Sequence, residues 1–280
     1  MPSLQTWFVT GASQGLGAVL VGQLLDAGHQ VVATSRSRAA LKDLASERLL
    51  ALQMDIADEA DVRRAIQAAV DRFGQIDVLV NNAGYGLLGG VEEVSDAEAR
   101  RIFDVNLFGL MNVTRATLPV MREAGRGHVL NISSVFGLVA GAGWGLYCST
   151  KFAVEGLSEA LAQEVAPFGI KVTLIEPGYF RTNFLTGGSL LSADTPIAAY
   201  DQIRQVQEAH LRIDGTQIGD PGRAARAMIA VVAQDQPPLR LLLGSDALTY
   251  ARAKLAALGE DFDRNEALTL STDYPAIATT

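Results

Sequence analysis

Short apolar runs alternate with amphipathic segments along this chain, and the alternation constrains the fold more than any other feature. The runs predict strands, and because they are mostly apolar they are typical of strands buried on both faces of a sheet. Strand and helix in strict alternation predict βαβ units, and therefore a parallel sheet with helices on both sides. The predicted strands are residues 7–10, 30–34, 49–54, 76–80, 128–132, 171–175 and 239–243, and the clearest predicted helices are residues 17–27, 58–73, 96–120 and 147–166.

The chain has no linker, internal repeat or low-complexity tract that would divide it. Its 280 residues allow one or two domains by length alone. The pattern predicts a single α/β domain of the Rossmann type, which is a doubly wound parallel sheet of about seven strands. Two segments depart from the pattern. Residues 183–221 are expected to form a substrate loop or lid, because long insertions in compact domains usually serve function, and residues 259–280 a C-terminal tail.

Composition and charge exclude several classes of function. The chain has 23 Lys and Arg against 31 Asp and Glu, and its net charge of −8 argues against a nucleic-acid binder or a polybasic membrane anchor. No apolar stretch approaches the ~18–20 residues of a membrane span, and no secretion signal precedes the first strand. Cys148 is the single cysteine and the three histidines lie far apart, so no metal site is predicted. The expected location is the cytoplasm.

A glycine-rich turn, Thr10–Gly17, follows the first predicted strand and opens the first predicted helix. Glycine permits a tight turn and lets backbone N–H groups approach a phosphate, and the helix N-terminus adds the positive end of a dipole. Glycines also end strands for purely structural reasons, but this position in a doubly wound sheet favours dinucleotide binding. The candidate cofactor contacts in the turn are Gly11, Ser13, Gln14, Gly15, Leu16 and Gly17.

The end of the second predicted strand indicates which dinucleotide binds. A carboxylate about 20 residues beyond the glycines would hold the 2′-hydroxyl of NAD and repel a 2′-phosphate. The sequence at that point is Thr34–Arg38, which has no acid, and Arg36 can pair with a phosphate. A solvated surface arginine is the alternative interpretation. The missing acid and the arginine together favour NADP(H) over NAD(H).

A tyrosine and a lysine share one face of a predicted helix. Tyr147 and Lys151 lie four residues apart, which is one helical turn. A tyrosine with a pKa of ~10 transfers protons poorly at neutral pH, and a nearby ammonium group lowers that pKa. Bringing the pKa to ~7 takes about 4 kcal/mol, which a lysine and an oxidised nicotinamide together could supply. Such pairs also occur by chance on helix surfaces, so the spacing alone is a weak signal.

Five motifs in a fixed order make the chain similar to one known family. Between about Thr6 and Thr182 it resembles the short-chain dehydrogenase/reductase family in its single-domain form, and within that family the NADP(H)-preferring members. The matching segments are Thr10–Gly17, Asn81–Gly84 with Asn106, Asn131–Ser134, Tyr147–Lys151, and Pro177–Gly178 with Thr182.

The resemblance implies a role for each matching residue. Tyr147 matches the general acid/base, Lys151 the residue that lowers the tyrosine pKa and holds the nicotinamide ribose, and Ser134 the hydroxyl that polarises the substrate oxygen. The separation of 13 residues from Tyr147 favours Ser134 over Ser133. Asn106 matches the helix residue that holds a water in a proton relay. Further implied cofactor contacts are Asp55, Ile56, Asn82, Ala83, Gly84, Pro177, Gly178, Phe180 and Thr182, besides Tyr147 and Lys151 themselves.

Several of these residues have a simpler structural interpretation. Asn106 can satisfy a backbone group, Asp55 can cap the following helix, and Thr182 can be an ordinary loop residue. The two serines can be turn residues. Cys148 beside the tyrosine is interpreted as a packing residue, because no base is evident to make it a nucleophile.

The implied reaction is reversible hydride transfer between a nicotinamide and a carbonyl carbon, with alcohol as the reduced product. The segments expected to flank the substrate, residues 85–88, 137–146 and 179–191, are largely apolar, which favours an apolar ketone, aldehyde or secondary alcohol. Those side chains can instead belong to the core or to a subunit interface. The resemblance also implies a homodimer or homotetramer, often built from the helices that begin near Asp96 and Tyr147.

Four other functions have to be weighed against this enzyme. A non-catalytic sensor of NAD(P) would tend to lose the tyrosine or the lysine, and an NAD(H)-dependent dehydrogenase of the same family differs only in its cofactor. A sugar-nucleotide epimerase or dehydratase also uses Tyr and Lys, but with another glycine spacing and a larger C-terminal domain. A role as an oligomeric scaffold stays open as a second function.

Overall fold

All seven predicted strands are present in the computed structural model of this protein, which describes residues 4–37, 41, 46–186 and 188–274. The strands of the main sheet are β1 (Thr6–Val9), β2 (Gln30–Ser35), β3 (Leu49–Gln53), β4 (Val78–Asn81), β6 (Gly127–Ile132), β7 (Ile170–Pro177) and β9 (Arg240–Leu243). They pair in parallel in the order β3-β2-β1-β4-β6-β7-β9. The α/β class, the single domain and the doubly wound topology are therefore confirmed.

Helices cover both faces of the sheet, as the apolar strands require. The helices are α1 (Gly15–Asp26), α2 (Glu59–Phe73), α3 (Asp96–Phe103), α4 (Leu110–Ala124), α5 (Gly145–Val165), α6 (Asp201–Arg212), α7 (Pro221–Val232) and α8 (Ser245–Leu270). Successive side chains of β1 alternate between the two faces of the sheet. Trp7 and Val9 pack in the cluster that includes α1 and α7, and Phe8 packs in the cluster that includes α2, α4 and α5.

The long helix predicted at residues 96–120 is two helices joined by a wide turn of π type at Asp104–Gly109. Two tertiary contacts hold this turn. Asn106 bonds to the backbone of Tyr85, and Gly109 lies against Ile56, where an added Cβ would stand 2.6 Å from Cγ1. An uninterrupted helix was the wrong prediction here, because the residues that widen the turn are distant in sequence. Turns of this type are frequent at functional sites.

A second, two-stranded parallel sheet was not predicted. It pairs β5 (Gly86–Leu88) with β8 (Leu190–Ser192), and each strand has only three residues. Glu93 also links the chain after β5 to the chain after β8. Its carboxylate accepts hydrogen bonds from the Gly90 and Ile197 backbone N–H groups and forms an ion pair with Arg204. Through these contacts the segment 183–221 is attached beside the carboxyl ends of the main strands.

The C-terminal part of the chain is helical beyond the last strand. Helix α8 continues through residue 270, so residues 259–270 of the expected tail are helix, and residues 275–280 lie outside the described residues. Within the described part of the chain, no helix is both long enough and apolar enough to cross a membrane.

Candidate active site

The carboxyl ends of the central strands meet at one cavity of about 610 Å³. The chain reverses its direction across the sheet between β1 and β4, and the crevice at such a point is where doubly wound sheets bind ligands. All of the candidate site residues line this cavity except Gly17 and Asn106. Candidate residues that lie up to about 170 positions apart in the chain therefore meet at one cavity in the folded protein.

The glycine turn forms one end of the cavity and is held by a neighbouring strand. Gly11 and Gly15 have φ angles of +63° and +57°, which favour glycine, and a Cβ on Gly11 would stand 2.8 Å from the Ala83 Cα. The Thr10 hydroxyl accepts hydrogen bonds from the Asn82 and Ala83 backbone N–H groups, both at 3.0 Å. The Asn82 side chain in turn donates to the carbonyls of Thr10 and Gly11.

Gly17 is needed for packing and does not face the cavity. A Cβ there would stand 2.5 Å from the Asn82 Nδ2 and 2.6 Å from the Gly11 oxygen. Its contribution is to let the helix approach the turn, and it was placed among the cofactor contacts only by the motif.

The start of α1 is suited to an anion. Gln14 precedes the helix and makes no side-chain capping bond, whereas Asp58, Ser95 and Asp220 cap α2, α3 and α7 with side-chain oxygens. Among the described residues, no side chain of the N-cap residue accepts from the first N–H groups of α1, and Gly15 and Leu16 of its first turn line the cavity. These residues fit the pyrophosphate of a dinucleotide. Gln14 also donates a 2.8 Å hydrogen bond to the Ser189 hydroxyl, which joins the turn to the 183–221 segment.

Arg36, Asp55 and Ile56 lie along the cavity on the β2–β3 side. Arg36 is exposed, at the end of β2, and no acidic side chain stands between Thr34 and Ser37; Arg38 lies outside the described residues. Asp55 accepts a hydrogen bond from the Ala57 N–H. It does not cap the following helix, because Asp58 does so through the N–H groups of Ala60 and Asp61.

Tyr147 and Lys151 lie in the first turns of α5, and both are buried. The Lys151 Nζ donates a 2.8 Å hydrogen bond to the Ile132 carbonyl at the end of β6, and lies 5.7 Å from the centre of the Tyr147 ring. Burial lowers the pKa of Lys151 to about 8, while Glu155 acts in the opposite direction.

The pKa of Tyr147 differs in direction from the expectation. Burial raises the pKa of its hydroxyl above the ordinary value, and the Ser134 hydroxyl counteracts only part of that rise. Desolvation is therefore the largest influence on the pKa of this buried phenol.

Ser134 and Ser133 follow β6 but have different surroundings. The Ser134 hydroxyl accepts a 3.1 Å hydrogen bond from the Phe136 N–H, is partly exposed and lines the cavity. The Ser133 hydroxyl is buried without a hydrogen-bond partner among the described residues, close to Gly137. Ser134 is thus the serine with a hydroxyl accessible beside Tyr147.

Asn106 stands behind the cavity wall. Its side chain accepts from the Tyr85 N–H at 3.0 Å and donates to the Tyr85 carbonyl at 2.9 Å and to the Thr150 hydroxyl at 3.1 Å. These contacts correspond to the simpler interpretation, in which Asn106 satisfies backbone groups. It also lies against Gly84, where an added Cβ would stand 3.1 Å from the Asn106 oxygen.

The loop after β7 is positioned by a residue that the sequence did not indicate. Asp246, at the start of α8, accepts a 2.7 Å hydrogen bond from the Tyr179 N–H, and its other carboxylate oxygen packs against Gly178. A side chain on Gly178 would collide with that carboxylate. No local motif marks Asp246, because it lies 68 residues beyond the loop that it holds.

Aromatic side chains form the wall next to Tyr147. The Trp144 ring lies 5.5 Å from the Tyr147 ring and the Phe184 ring 6.0 Å from it, between ring centres. Within the segments expected to flank the substrate, Trp144, Phe180, Phe184 and Leu185 line the cavity, whereas Leu138, Val139 and Leu146 do not. The wall next to Tyr147 is thus apolar, as expected, but only part of those segments forms it.

Known proteins resemble the chain over most of its length. The family model described as short chain dehydrogenase matches residues 5–188. Oxidoreductase BOA17 of Botryotinia fuckeliana is 35% identical, over 95% of this chain and 98% of its own length. A 3-ketodihydrosphingosine reductase of Bacteroides thetaiotaomicron is 36% identical, over 86% and 88% of the two chains.

Solved structures with similar folds include complexes with both nicotinamide dinucleotides. A short-chain dehydrogenase from Streptomyces avermitilis has a TM-score of 0.90 and 38% identity, and the match covers 96% of this chain and all of that one. An alcohol dehydrogenase from Thermococcus sibiricus, complexed with 5-hydroxy-NADP, has a TM-score of 0.70 and 25% identity, over 86% and 96%. A 3-ketoacyl-(acyl-carrier-protein) reductase from Brucella melitensis, complexed with NADH, has a TM-score of 0.71 and 28% identity, over 85% and 96%.

Proposed function

Since the chain belongs to the short-chain dehydrogenase/reductase family of oxidoreductases, we propose that it interconverts a carbonyl and an alcohol on an apolar small molecule, with NADP(H) as its cofactor. One observation carries the proposal. A single cavity joins the glycine turn and the open start of α1 at one end to Ser134, Tyr147 and Lys151 at the other. That arrangement suits a dinucleotide whose reactive end lies beside a proton donor.

Each polar residue at the reactive end has a separate task in carbonyl reduction. When bound, NADPH supplies the hydride. Tyr147 gives its hydroxyl proton to the carbonyl oxygen, and Ser134 donates a hydrogen bond to the same oxygen as negative charge develops on it. Lys151, fixed by the Ile132 carbonyl, keeps a positive charge next to the tyrosine and stabilises the phenolate that remains.

Two features support NADP(H) over NAD(H). Arg36 lines the cavity at the end of β2, and the described residues beside it include no carboxylate that would repel a 2′-phosphate. Its guanidinium group can donate paired hydrogen bonds to a phosphate. The alcohol dehydrogenase from Thermococcus sibiricus, complexed with 5-hydroxy-NADP, shows that the family's fold can hold an NADP-type cofactor.

The apolar substrate follows from the wall and from the relatives. Trp144 and Phe184 lie beside Tyr147, and Leu185 lines the same cavity. The relatives include two named as retinol dehydrogenases and one named as a 3-ketodihydrosphingosine reductase, so by their names they act on an alcohol and a ketone. We propose the same class of substrate here: an apolar ketone, aldehyde or secondary alcohol.

Turnover of NADPH against NADH tests this function. Purified protein is mixed with each cofactor and a panel of apolar ketones and aldehydes, and loss of reduced cofactor is followed by absorbance. The wild type should oxidise NADPH with at least one ketone, and Tyr147→Phe should lose nearly all turnover while binding NADPH with an unchanged Kd. Substantial activity in Tyr147→Phe would refute the proton-transfer mechanism, and NADPH binding with no turnover of any carbonyl would favour the non-catalytic sensor.

Assembly and location belong to the same proposal. We propose a cytoplasmic homodimer or homotetramer. The face that includes the 104–109 turn and the face of α5 each expose a phenylalanine, Phe108 and Phe152, on the helices that the resemblance implies for assembly. Nucleic acid and membranes are not proposed as partners.

A further inference from the structure

Besides the Ser133 hydroxyl, two polar atoms of residues that line the cavity are buried without a hydrogen-bond partner among the described residues. They are the indole N–H of Trp144 and the side-chain carbonyl of Gln217. Each residue is 3% exposed, so bulk water does not reach most of either side chain. Buried polar groups are nearly always paired, and an unpaired one at a cavity points to a ligand group that pairs with it. The first is a donor only and the second an acceptor.

The orientation of the Gln217 amide is fixed by its neighbours. Its Nε2 donates a 3.3 Å hydrogen bond to the Asp214 carboxylate, and its backbone carbonyl accepts one from the Arg181 guanidinium at 3.1 Å. Reversing the amide would set its carbonyl oxygen against the Asp214 carboxylate. The oxygen is therefore the atom of the amide that stays available.

Tyr179 adds a second acceptor to the wall. The Nδ1 of His210 lies 2.7 Å from the Val206 carbonyl, which can only accept, so Nδ1 carries the proton of the neutral ring. The Nε2 of His210 then accepts the proton of the Tyr179 hydroxyl, at 2.7 Å. Tyr179 lines the cavity, and its hydroxyl oxygen keeps lone pairs for another donor.

Two of these polar groups lie near the aromatic wall. The His210 ring is 5.0 Å from the Trp144 ring and 5.6 Å from the Tyr179 ring, between centres, and Trp144 in turn touches Tyr147. Gln217 lines the same cavity from the 183–221 segment. Trp144, Tyr179 and Gln217 thus give the cavity one donor and two acceptors besides Ser134 and Tyr147.

We propose, on the basis of the function proposed above, that the substrate is an apolar ketone with a hydroxyl group remote from the reacting carbonyl. A hydroxyl both donates and accepts, so it can pair with Gln217 or Tyr179 and with Trp144. A ketone that is hydrocarbon everywhere except at its carbonyl would leave these wall groups unpaired and would bind less tightly. The remote hydroxyl therefore determines which ketone the enzyme prefers, and the carbonyl group is the part that reacts.

The test compares two ketones that differ only in a remote hydroxyl, such as a long-chain methyl ketone with and without a terminal hydroxyl. Wild-type protein should prefer the hydroxylated ketone by about 10-fold or more in kcat/KM. Gln217→Leu and Trp144→Phe should each reduce that preference several-fold, since each removes one polar group and keeps an apolar side chain. Ile218→Leu, at an exposed neighbour of Gln217, is the matched control and should keep the preference.

Affinity gives a second readout. Calorimetric Kd values of the two ketones in the presence of NADP⁺ should show the same preference and the same loss in Gln217→Leu. Equal kcat/KM for both ketones in the wild type, or a preference unchanged in both variants, would overturn this inference and leave the enzyme function intact. Failure of the wild type to turn over either ketone, or any member of the carbonyl panel, would overturn the enzyme function itself.

A separate observation concerns the outer part of α8. Its apolar residues repeat at spacings of three and four, as Leu248, Ala251, Leu255, Leu258 and Phe262. Ala251 is buried against the domain, but farther along the same face Leu255 and Phe262 are 69% and 68% exposed. At 1.5 Å per residue, the helix extends about 39 Å. Leu255 and Phe262 of this apolar seam are thus left uncovered by the described residues, and the seam has the spacing of a coiled coil.

We infer that a second copy of this chain covers the seam, with the two α8 helices antiparallel. The charges favour that occupant: Arg252 and Lys254 flank the inner part of the seam, whereas the outer part carries Asp261 and Glu266. Antiparallel pairing sets the basic part of each helix beside the acidic part of the other. The same acidic part would be repelled by an anionic membrane.

Sedimentation and light scattering test this pairing. The variant Leu255→Asp/Phe262→Asp should have half the mass of the wild type, and Val91→Asp, at another exposed apolar residue, should keep the wild-type mass. Lys254→Glu should weaken the association at least several-fold, and Lys254→Glu/Asp261→Lys should restore it. Equal masses for the wild type and the double aspartate variant, or flotation of the wild type with phosphatidylcholine vesicles, would overturn the inference.

Discussion

At the scale of single residues, the cavity separates positions that must contact a ligand from positions that shape the backbone. Gly11 and Gly15 need their positive φ angles, while Gly17 and Asn106 act from behind the wall through packing and hydrogen bonds. We propose that Arg36 is of the first kind, because its exposed side chain lines the cavity at the end of β2.

Replacing Arg36 tests the choice of cofactor. Arg36→Ala should raise the Kd of NADPH by about 10- to 100-fold, which is the effect of losing charge-assisted hydrogen bonds to a phosphate. The Kd of NADH should stay the same, since NADH has no 2′-phosphate. Fluorescence titration measures both constants, and Arg48→Ala, at an exposed arginine outside the cavity, is the control. An equal loss for both cofactors would contradict the assignment of NADP(H).

At the scale of secondary-structure elements, the site depends on contacts between turns that are distant in the chain. The turn after β1 is fixed by the turn after β4, chiefly through Thr10 and Asn82. The loop after β7 is fixed by Asp246 of α8, and the 183–221 segment by Gln14 and Glu93. Strands and helices set the approximate positions of these turns, and the side-chain bonds determine their final geometry.

The Thr10 hydroxyl is the clearest of these bonds to test. Thr10→Val keeps the shape of the side chain but removes the acceptor of the half-buried Ala83 N–H, and it leaves the Asn82 N–H with the Val80 carbonyl alone. We expect a loss of about 1–3 kcal/mol in the free energy of unfolding and weaker binding of both dinucleotides. Urea unfolding measures the first and titration the second. Thr10→Ser retains the hydroxyl, so it should lie close to the wild type, and equal stability of the valine and serine variants would show that these bonds contribute little.

At the scale of the whole molecule, a buried acidic pair joins the sheet to α5 behind the active site. Glu176 of β7 is completely buried, and Arg240 of β9 lies 3.5 Å from it and 3.2 Å from Glu155 of α5. Burial, together with the adjacent Glu155, raises the pKa of Glu176 well above its ordinary value. Because its pKa is higher in the folded state, folding retains a proton that the unfolded chain releases. The resulting stability is complete below the ordinary pKa and is lost as the pH rises towards the raised value.

Glu176→Gln should therefore remove part of the pH dependence of stability. The variant carries a neutral side chain at every pH, so its Tm relative to the wild type should be higher at about pH 8 than at about pH 5.5. Differential scanning calorimetry at the two pH values measures the difference. Glu159→Gln also removes a carboxylate near Arg240, but an exposed one, and should show no such trend. Parallel curves for wild type and Glu176→Gln would mean that Glu176 is ionised in the folded protein.

The α/β class, the seven parallel strands and the motif residues that line the cavity were predictable from the chain alone. These depend on local signals: apolar runs, helical spacing, and glycines at a strand–helix junction. The tertiary structure alone decided features that depend on contacts distant in the chain. They include the π turn held by Asn106, the pairing of β5 with β8, the Asp246 anchor and the orphaned polar atoms of Trp144 and Gln217. The direction of the Tyr147 pKa belongs with them, because desolvation is set by everything that surrounds a group and not by its neighbours in the chain.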